Sequence, residues 1–199
     1  MSRAQRVCLA FVMVTAPALA DTPQDCGQDT NDELRISACS DIIRQDKKAA
    51  WAHVNRGIAY SISGDQDRAI ADFTTAIGIN PREVEAYNSR GIAYRRNGNC
   101  DLAIADYDKA IALSPGFAPA YYERAQAHYI AGRFREALTD AGKAAELNAN
   151  WAQAISLRGL IQEKLGAKDA AIADLRRAAA LDPALPQPAD ALRRLGVMR

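Results

Sequence analysis

Residues 84–115 read VEAYNSRGIAYRRNGNCDLAIADYDKAIALSP. Two helix-length apolar patterns stand on either side of Gly98, and Pro115 closes the second. Small residues recur at a constant interval in both directions from Gly91, at Gly57 before it and at Ala125 and Gly159 after it. A fixed period of this length, about 34 residues, is typical of helical repeat arrays.

The sequence divides into four repeats, residues 50–83, 84–117, 118–151 and 152–185. We number the residues of each repeat from position 1. Position 8 is always small, and positions 20 and 27 are always alanine, which indicates closely packed helix backbones. Glycine recurs at position 15, where it can end a helix in the left-handed conformation. These glycines are Gly64, Gly98, Gly132 and Gly166.

The second repeat resembles the tetratricopeptide repeat family. The residues that carry the resemblance are Tyr87, Gly91, Tyr94, Ala103, Tyr107, Ala110 and Pro115. The third repeat departs from the pattern at Ala125, His128, Ala141 and Ala149. The resemblance implies an all-α fold, in which four helical hairpins stack into a right-handed superhelical array, an α-solenoid.

The segments outside the repeats predict a leader and two caps. Residues 1–20 combine a basic start, an apolar run and Ala18-Leu19-Ala20, the pattern of a secretory signal peptide. Residues 21–49 predict an extended arm followed by a capping helix that Asn31 begins, with Leu34, Ala38, Ile42 and Ile43 as its apolar stripe. In residues 186–199 we expect a short capping helix over 190–195, after a stiff proline-containing linker, 184–188.

Three of the four cysteines lie beyond the predicted signal peptide. Cys26 and Cys39 both precede the first repeat, and in an oxidising compartment they form the natural disulfide pair. Zinc binding is the alternative, although the usual further ligands are absent nearby in the sequence. The two cysteines, with Ala38 and Ile42-Ile43, resemble the N-terminal cap of exported bacterial repeat proteins, which implies a periplasmic or secreted location.

Charge disfavours two classes of partner. Loss of residues 1–20 removes Arg3 and Arg6, so the formal net charge changes from +1 to −1. A nearly neutral chain has no long-range attraction for phosphate backbones, so we do not expect nucleic acid binding. No later stretch has the length and apolarity of a membrane span, so we expect no membrane insertion after cleavage.

Arginine occupies position 7 and aspartate position 23 in all four repeats. The tetratricopeptide pattern has an apolar residue at position 7. We therefore predict a structural ladder of ion pairs near the packing layer. Its members are Arg56, Arg90, Arg124 and Arg158 with Asp72, Asp106, Asp140 and Asp174.

The sequence contains no recognisable catalytic motif. His53 and His128 fall in different repeats at packing positions, and Cys100 has no base nearby in sequence to activate it. Phosphate-binding loops, nucleophile elbows and metal-ligand spacings are also missing. We therefore expect no enzyme activity, no cofactor and no metal.

The resemblance implies that ligands contact positions 2, 5, 9, 12 and 13, on the concave side of the first helices. The candidate partner-binding residues are Trp51, Val54, Ile58, Asn88, Arg95, Arg96, Tyr122, Gln126, Tyr129, Glu163 and Lys164. Tyr122 and Tyr129 beside Arg95 and Arg96 predict an aromatic and cationic patch, suited to a peptide with an acidic group near apolar side chains.

The predicted function is a non-enzymatic scaffold that binds a protein or peptide partner of unknown identity in this groove. Two alternatives remain open. One is a self-associating structural scaffold, and the other is an accessory subunit of an envelope enzyme or assembly complex.

Overall fold

A computed structural model describes residues 26–27 and 31–197, and this part of the chain contains ten helices and no strand. The predicted signal peptide lies outside the described residues. The helices are α1 (Asp32–Gln45), α2 (Ala50–Ile62), α3 (Gln66–Ile79), α4 (Val84–Arg96), α5 (Cys100–Leu113), α6 (Ala118–Ile130), α7 (Phe134–Leu147), α8 (Ala152–Lys164), α9 (Lys168–Leu181) and α10 (Pro186–Arg194). The all-α class is confirmed.

Each hairpin turns at a glycine with positive φ, a conformation that costs other residues energy. Gly64, Gly98, Gly132 and Gly166 follow the first helix of the four hairpins, at the predicted position 15. Gly196, which sequence analysis did not single out, has the same conformation after α10. The five helices that precede these glycines therefore end in the same way, at a glycine in the left-handed conformation.

Inside each hairpin, positions 8 and 24 are matched in size. An added Cβ on Gly57 would lie 2.7 Å from the Phe73 ring, and one on Gly91 would lie 2.6 Å from the Tyr107 ring. In the third hairpin both positions are alanine, and Ala125 and Ala141 belong to the same core cluster. A large side chain at position 24 thus requires glycine at position 8.

The first and second helices of the hairpins pack differently against their neighbours. The first helices α2, α4, α6 and α8 each approach the next first helix within 8 Å between Cα atoms, whereas no second helix in the described part of the chain approaches another. Because only the first helices are close together, the array curves with them on its inner side. We call this side the inner face.

Both ends of the array keep the repeat register. Helix α1 begins one repeat length before α3, so it stands where the second helix of an earlier repeat would stand. Helix α10 starts at Pro186, one repeat length after the start of α8. The predicted linker 184–188 is therefore wrong from Pro186 onwards, because Pro186–Pro188 form the first turn of α10, where a missing backbone N–H costs nothing.

The N-terminal cap contains the Cys26–Cys39 disulfide, with a Cα–Cα distance of 4.8 Å, which confirms the predicted pair. Both cysteines are fully buried against Ala38, Ala49 and Ala52. Cys26 and Gly27 are helical, so this part of the predicted arm is not extended. Asn31 Oδ1 accepts from the backbone N–H groups of Glu33 and Leu34, while the Leu34 side chain is exposed rather than part of the buried stripe.

Candidate functional site

The position 7 arginines and position 23 aspartates meet in all four hairpins. Each arginine donates from Nε and Nη2 to the two carboxylate oxygens of one aspartate, at 2.6–2.8 Å. The pairs are Arg56–Asp72, Arg90–Asp106, Arg124–Asp140 and Arg158–Asp174. All four aspartates are buried, so each pair joins the two helices of one hairpin below the surface.

In three of the four arginines, the third nitrogen donates to a residue of the helix that precedes the hairpin. Nη1 of Arg56 donates to Ser40, that of Arg90 to Thr74, and that of Arg124 to Asp108. Ser40, Thr74 and Asp108 are one repeat length apart, and the next residue in this series is Gly142, which has no side-chain acceptor. The ladder therefore also crosses between hairpins, and Gly142 lacks the acceptor that the other three supply.

The two histidines lie beside this ladder and far from each other in the repeat order. His53 Nδ1 is 2.9 Å from Asp72 Oδ1, and His128 Nε2 is 3.8 Å from Asp140 Oδ2. Burial lowers the pKa of His128, against the opposing effect of Asp140. Cys100 is a half-buried free thiol at the start of α5. The structure does not bring these three groups together.

One of the two arginines of the predicted cationic patch has an acidic partner within the protein. Arg95 donates to Glu123 Oε2 at 2.8 Å, and their side chains are only 17% and 16% exposed. Arg96 Nη1 donates to the backbone oxygen and hydroxyl of Ser61 at 2.9 and 3.0 Å. Arg95 therefore forms a partly buried link between α4 and α6, and its guanidinium group already has an acidic partner within the protein.

Several other predicted groove residues are not open surface. Val54 and Asn88 are buried, and Glu163 pairs with Arg194 of α10 at 2.8 Å. Trp51 and Lys164, by contrast, are exposed at opposite ends of the inner face. Positions 2, 5, 9, 12 and 13 thus do not form one uniform lining, because packing and ion pairs cover part of it.

Three predicted residues do converge in one place. Tyr122, Gln126 and Tyr129 of α6 line a cleft of about 260 Å³ between α6 and α8. We call it the C-terminal cleft. Its other lining residues are Ile130, Gln153, Ser156, Leu157, Leu160, Leu185 and Gln187.

The tyrosines of this cleft are held by aromatic neighbours. The Tyr122 ring lies 4.7 Å from the Trp151 ring between centroids, and the Tyr129 ring meets Phe134 edge-on at 5.5 Å. Both partners lie outside α6, so tertiary packing fixes the two phenol rings. Aromatic side chains held in this way can bind a ligand with little loss of conformational entropy.

None of the residues that line the C-terminal cleft has a side chain that is charged at neutral pH. Burial, with a further contribution from Glu123, raises the pKa of Tyr122, so its phenol stays protonated. Apolar side chains and neutral amides together suit a side chain without charge, next to backbone groups that can pair with Gln126, Gln153 and Gln187.

A second cleft of about 220 Å³ lies between α2 and α4, and we call it the N-terminal cleft. Predicted residues Ile58 and Arg96 line it, together with Ser61, Ile62, Phe73, Ser89 and Ile92. Both clefts therefore lie on the inner face, each between two neighbouring first helices.

Sequence analysis did not predict some of the residues that line the two clefts. Leu157 and Ser89 occupy position 6, which the family pattern does not assign to the groove. Leu185 and Gln187 belong to the end of the last repeat and the start of α10. The spacing of one repeat length between Gln153 and Gln187 was the available signal, because it places α10 as a further first helix.

Across 26–27 and 31–197, no group of three or more His, Cys, Asp or Glu side chains is placed to share a metal ion. In these ranges, no helix combines the length and apolar character needed to cross a bilayer.

Comparison with known proteins supports the repeat assignment. Family models described as tetratricopeptide repeat match residues 54–118, 89–155 and 152–185. A search of curated protein sequences found no significant match.

Solved structures share the fold at low sequence identity. MamA superposes with a TM-score of 0.69 at 22% identity, covering 76% of this chain and 89% of MamA. TTC0263, a protein of Thermus thermophilus, gives 0.69 at 16%, covering 84% and 91%. YrrB, a tetratricopeptide repeat protein with an unusual peptide-binding site, gives 0.67 at 18%, covering 81% and 84%.

Proposed function

Since the chain belongs to the tetratricopeptide repeat family, we propose that it is a non-enzymatic scaffold that binds a segment of a protein partner along its inner face. The observation that carries this proposal is the C-terminal cleft. It is apolar, uncharged and lined by fixed aromatic rings, which are features of protein-binding surfaces.

We propose a partner segment with less acidic character than the sequence suggested. Arg95 already pairs with Glu123, so it offers no free charge to a partner, whereas Arg96 contacts only the neutral oxygens of Ser61. The cleft favours apolar side chains in a segment that lacks charge there, since a charged group would lose its hydration without gaining an ionic partner. YrrB is precedent for peptide binding on this fold.

Site-specific crosslinking tests the proposed face. A photoreactive amino acid replaces Gln126, in the C-terminal cleft, and in a matched variant it replaces Thr139, which is exposed on α7. Purified protein is irradiated in an envelope extract of the source cells. We expect adducts at Gln126 and few at Thr139. Equal labelling at both positions, or labelling at Thr139 alone, would place the partner elsewhere.

We also propose that the protein is exported and that residues 1–20 are removed. Support comes from the N-terminal sequence pattern and from the buried Cys26–Cys39 disulfide, because such bonds persist in oxidising compartments. The denatured mature protein should show one free thiol, that of Cys100, and three after reduction. A fourth thiol after reduction would mean that Cys8 is retained.

A further inference from the structure

The repeat register allows the two clefts to be compared residue by residue. Each lies between one first helix and the next, and both use positions 9, 12 and 13 of the earlier helix with positions 6 and 9 of the later one. Position 12 therefore faces position 6 of the following repeat.

The residues at these two positions differ from one junction between first helices to the next. Between α2 and α4 they are Ser61 and Ser89, which are too small to fill the space. Between α6 and α8 they are Tyr129 and Leu157, which form apolar walls. At the equivalent place between α4 and α6 they are Arg95 and Glu123, which form an ion pair. In the described part of the chain, this partly buried pair therefore lies between the C-terminal cleft and the N-terminal cleft, whose mainly apolar wall also contains Arg96.

The distance between the two clefts determines how many ligand residues separate side chains that occupy both. Packed helices lie about 8–10 Å apart, so two clefts that are two repeats apart are about 16–20 Å apart. An extended chain advances about 3.3 Å per residue, so about five or six residues span this distance. Each cleft, at about 260 and 220 Å³, is smaller than typical pockets for drug-sized ligands. Their size suits one or two side chains.

We infer that the inner face binds one extended segment of a partner through two apolar anchor side chains about five or six residues apart. The C-terminal cleft holds one anchor and the N-terminal cleft holds the other. The Arg95–Glu123 pair lies beneath the segment between them. This inference rests on the proposed function and adds the spacing and chemistry of the ligand.

Two equivalent residues make the test well matched. Ile62 and Ile130 both occupy position 13, they are 59% and 60% exposed, and each lines one cleft. Their exposure means that Ile62→Asp and Ile130→Asp should fold. Leu147→Asp, at an exposed residue on the second helix α7, is the control for an added charge away from the inner face.

Peptides are first selected on the full chain from a random displayed library, in segments long enough to span both clefts. We expect the selected sequences to share two apolar positions at the inferred spacing. Synthetic versions should lose affinity on the order of 10²-fold in each of the two cleft variants, because one of two linked contacts is lost. The Leu147→Asp control should bind as the natural protein does.

Replacing each peptide anchor by serine assigns it to a cleft. A peptide without one anchor should be insensitive to the charge in the cleft that this anchor occupied, and still sensitive to the other. Ile62→Ser and Ile130→Ser repeat the measurement if an aspartate variant proves unstable. A melting curve for every variant shows that the fold is retained.

The possible outcomes separate the inference from the proposed function. If only one cleft variant weakens binding and one apolar position is enriched, the two-anchor inference is wrong while peptide binding on the inner face stands. If neither variant weakens binding, or if Leu147→Asp weakens it equally, both are wrong.

Discussion

At the residue scale, the match between positions 8 and 24 gives a direct prediction. Gly91→Ala places a methyl group against the Tyr107 ring, and overpacking costs about 1–3 kcal/mol, offset by up to about 1 kcal/mol of helix propensity. We expect a net loss in the free energy of unfolding, measured by denaturant titration. Gly78→Ala is the control, because an added Cβ there meets nothing within 4 Å, and it should stabilise.

A second substitution, at Tyr107, should offset part of the stability lost in Gly91→Ala. Adding Tyr107→Ala to Gly91→Ala recreates the pair found in the third repeat, Ala125 and Ala141. The double variant should lose less stability than the two single changes added together. Simple additivity would show that the two positions are not coupled.

Replacing an arginine of the ladder should lower the free energy of unfolding, because it leaves a buried aspartate without its partner. Arg90→Leu strands the buried carboxylate of Asp106, and an unpaired buried charge costs about 3–5 kcal/mol. Arg90→Leu with Asp106→Leu removes both charges and should recover most of this loss. Leu192 already occupies the equivalent arginine position in α10. A double variant as unstable as the single one would contradict this account.

His128 should make folding sensitive to acid. Its pKa is lowered in the folded state, mainly by burial, so the unfolded chain takes up a proton more readily. The stabilising difference is present above the unfolded pKa of about 6.5 and is lost as pH falls below it. His128→Gln, the residue found at this position in the fourth repeat, should reduce the loss of stability between pH 7 and pH 5. Equal pH dependence in both proteins would exclude His128 as the cause.

At the element scale, the missing acceptor at Gly142 predicts a stabilising substitution. Gly142 lies in α7, where Ser40, Thr74 and Asp108 supply acceptors in the other members of its series, and an added Cβ there meets no atom within 4 Å. Gly142→Asp should pair with Arg158 as Asp108 pairs with Arg124. The gain over Gly142→Asn, which has a similar size, should be under about 1 kcal/mol and should shrink with salt. A difference that salt does not change would argue against a new ion pair.

The periodicity predicted the four central hairpins well, because each keeps small residues at positions 8, 20 and 27. The same pattern did not identify the terminal helices α1 and α10 as members of the repeat register, and the reason is physical. Helix α1 has Arg35 and Ile42 where the repeats have alanine, since its far side is not packed against another hairpin. Helix α10 begins with prolines that resemble a linker until their register with α8 is known.

The candidate site was predictable only in part. Family positions located Tyr122, Gln126 and Tyr129 on the inner face, where they line the C-terminal cleft. The same positions could not show that Arg95 is covered, because its partner Glu123 lies in the next repeat at a position outside the pattern. Side-chain pairing between repeats depends on packing that a single-repeat pattern does not contain.

At the scale of the whole molecule, the partly buried Arg95–Glu123 pair lies between the two clefts of the inner face. Arg95→Ser with Glu123→Ser gives the central junction the same two residues as Ser61 and Ser89, and leaves no stranded charge. The double variant should keep near-natural stability and accept peptides with anchors about three residues apart, measured by fluorescence anisotropy. Arg95→Ser alone should be less stable, because Glu123 loses its partner. Unchanged spacing selectivity in the double variant would mean that the pair is not the barrier.

The ends of the array continue the same repeat interval as its middle. Each terminal helix contacts only the hairpin next to it. Length is thus an adjustable property of this protein: a duplicated copy of residues 84–117, placed in tandem, would lengthen the inner face by one junction and bring a second Arg95. Tandem duplication is a simple genetic event. Each added copy would change the length of ligand that the inner face can contact, and the existing terminal helices would still cap the array.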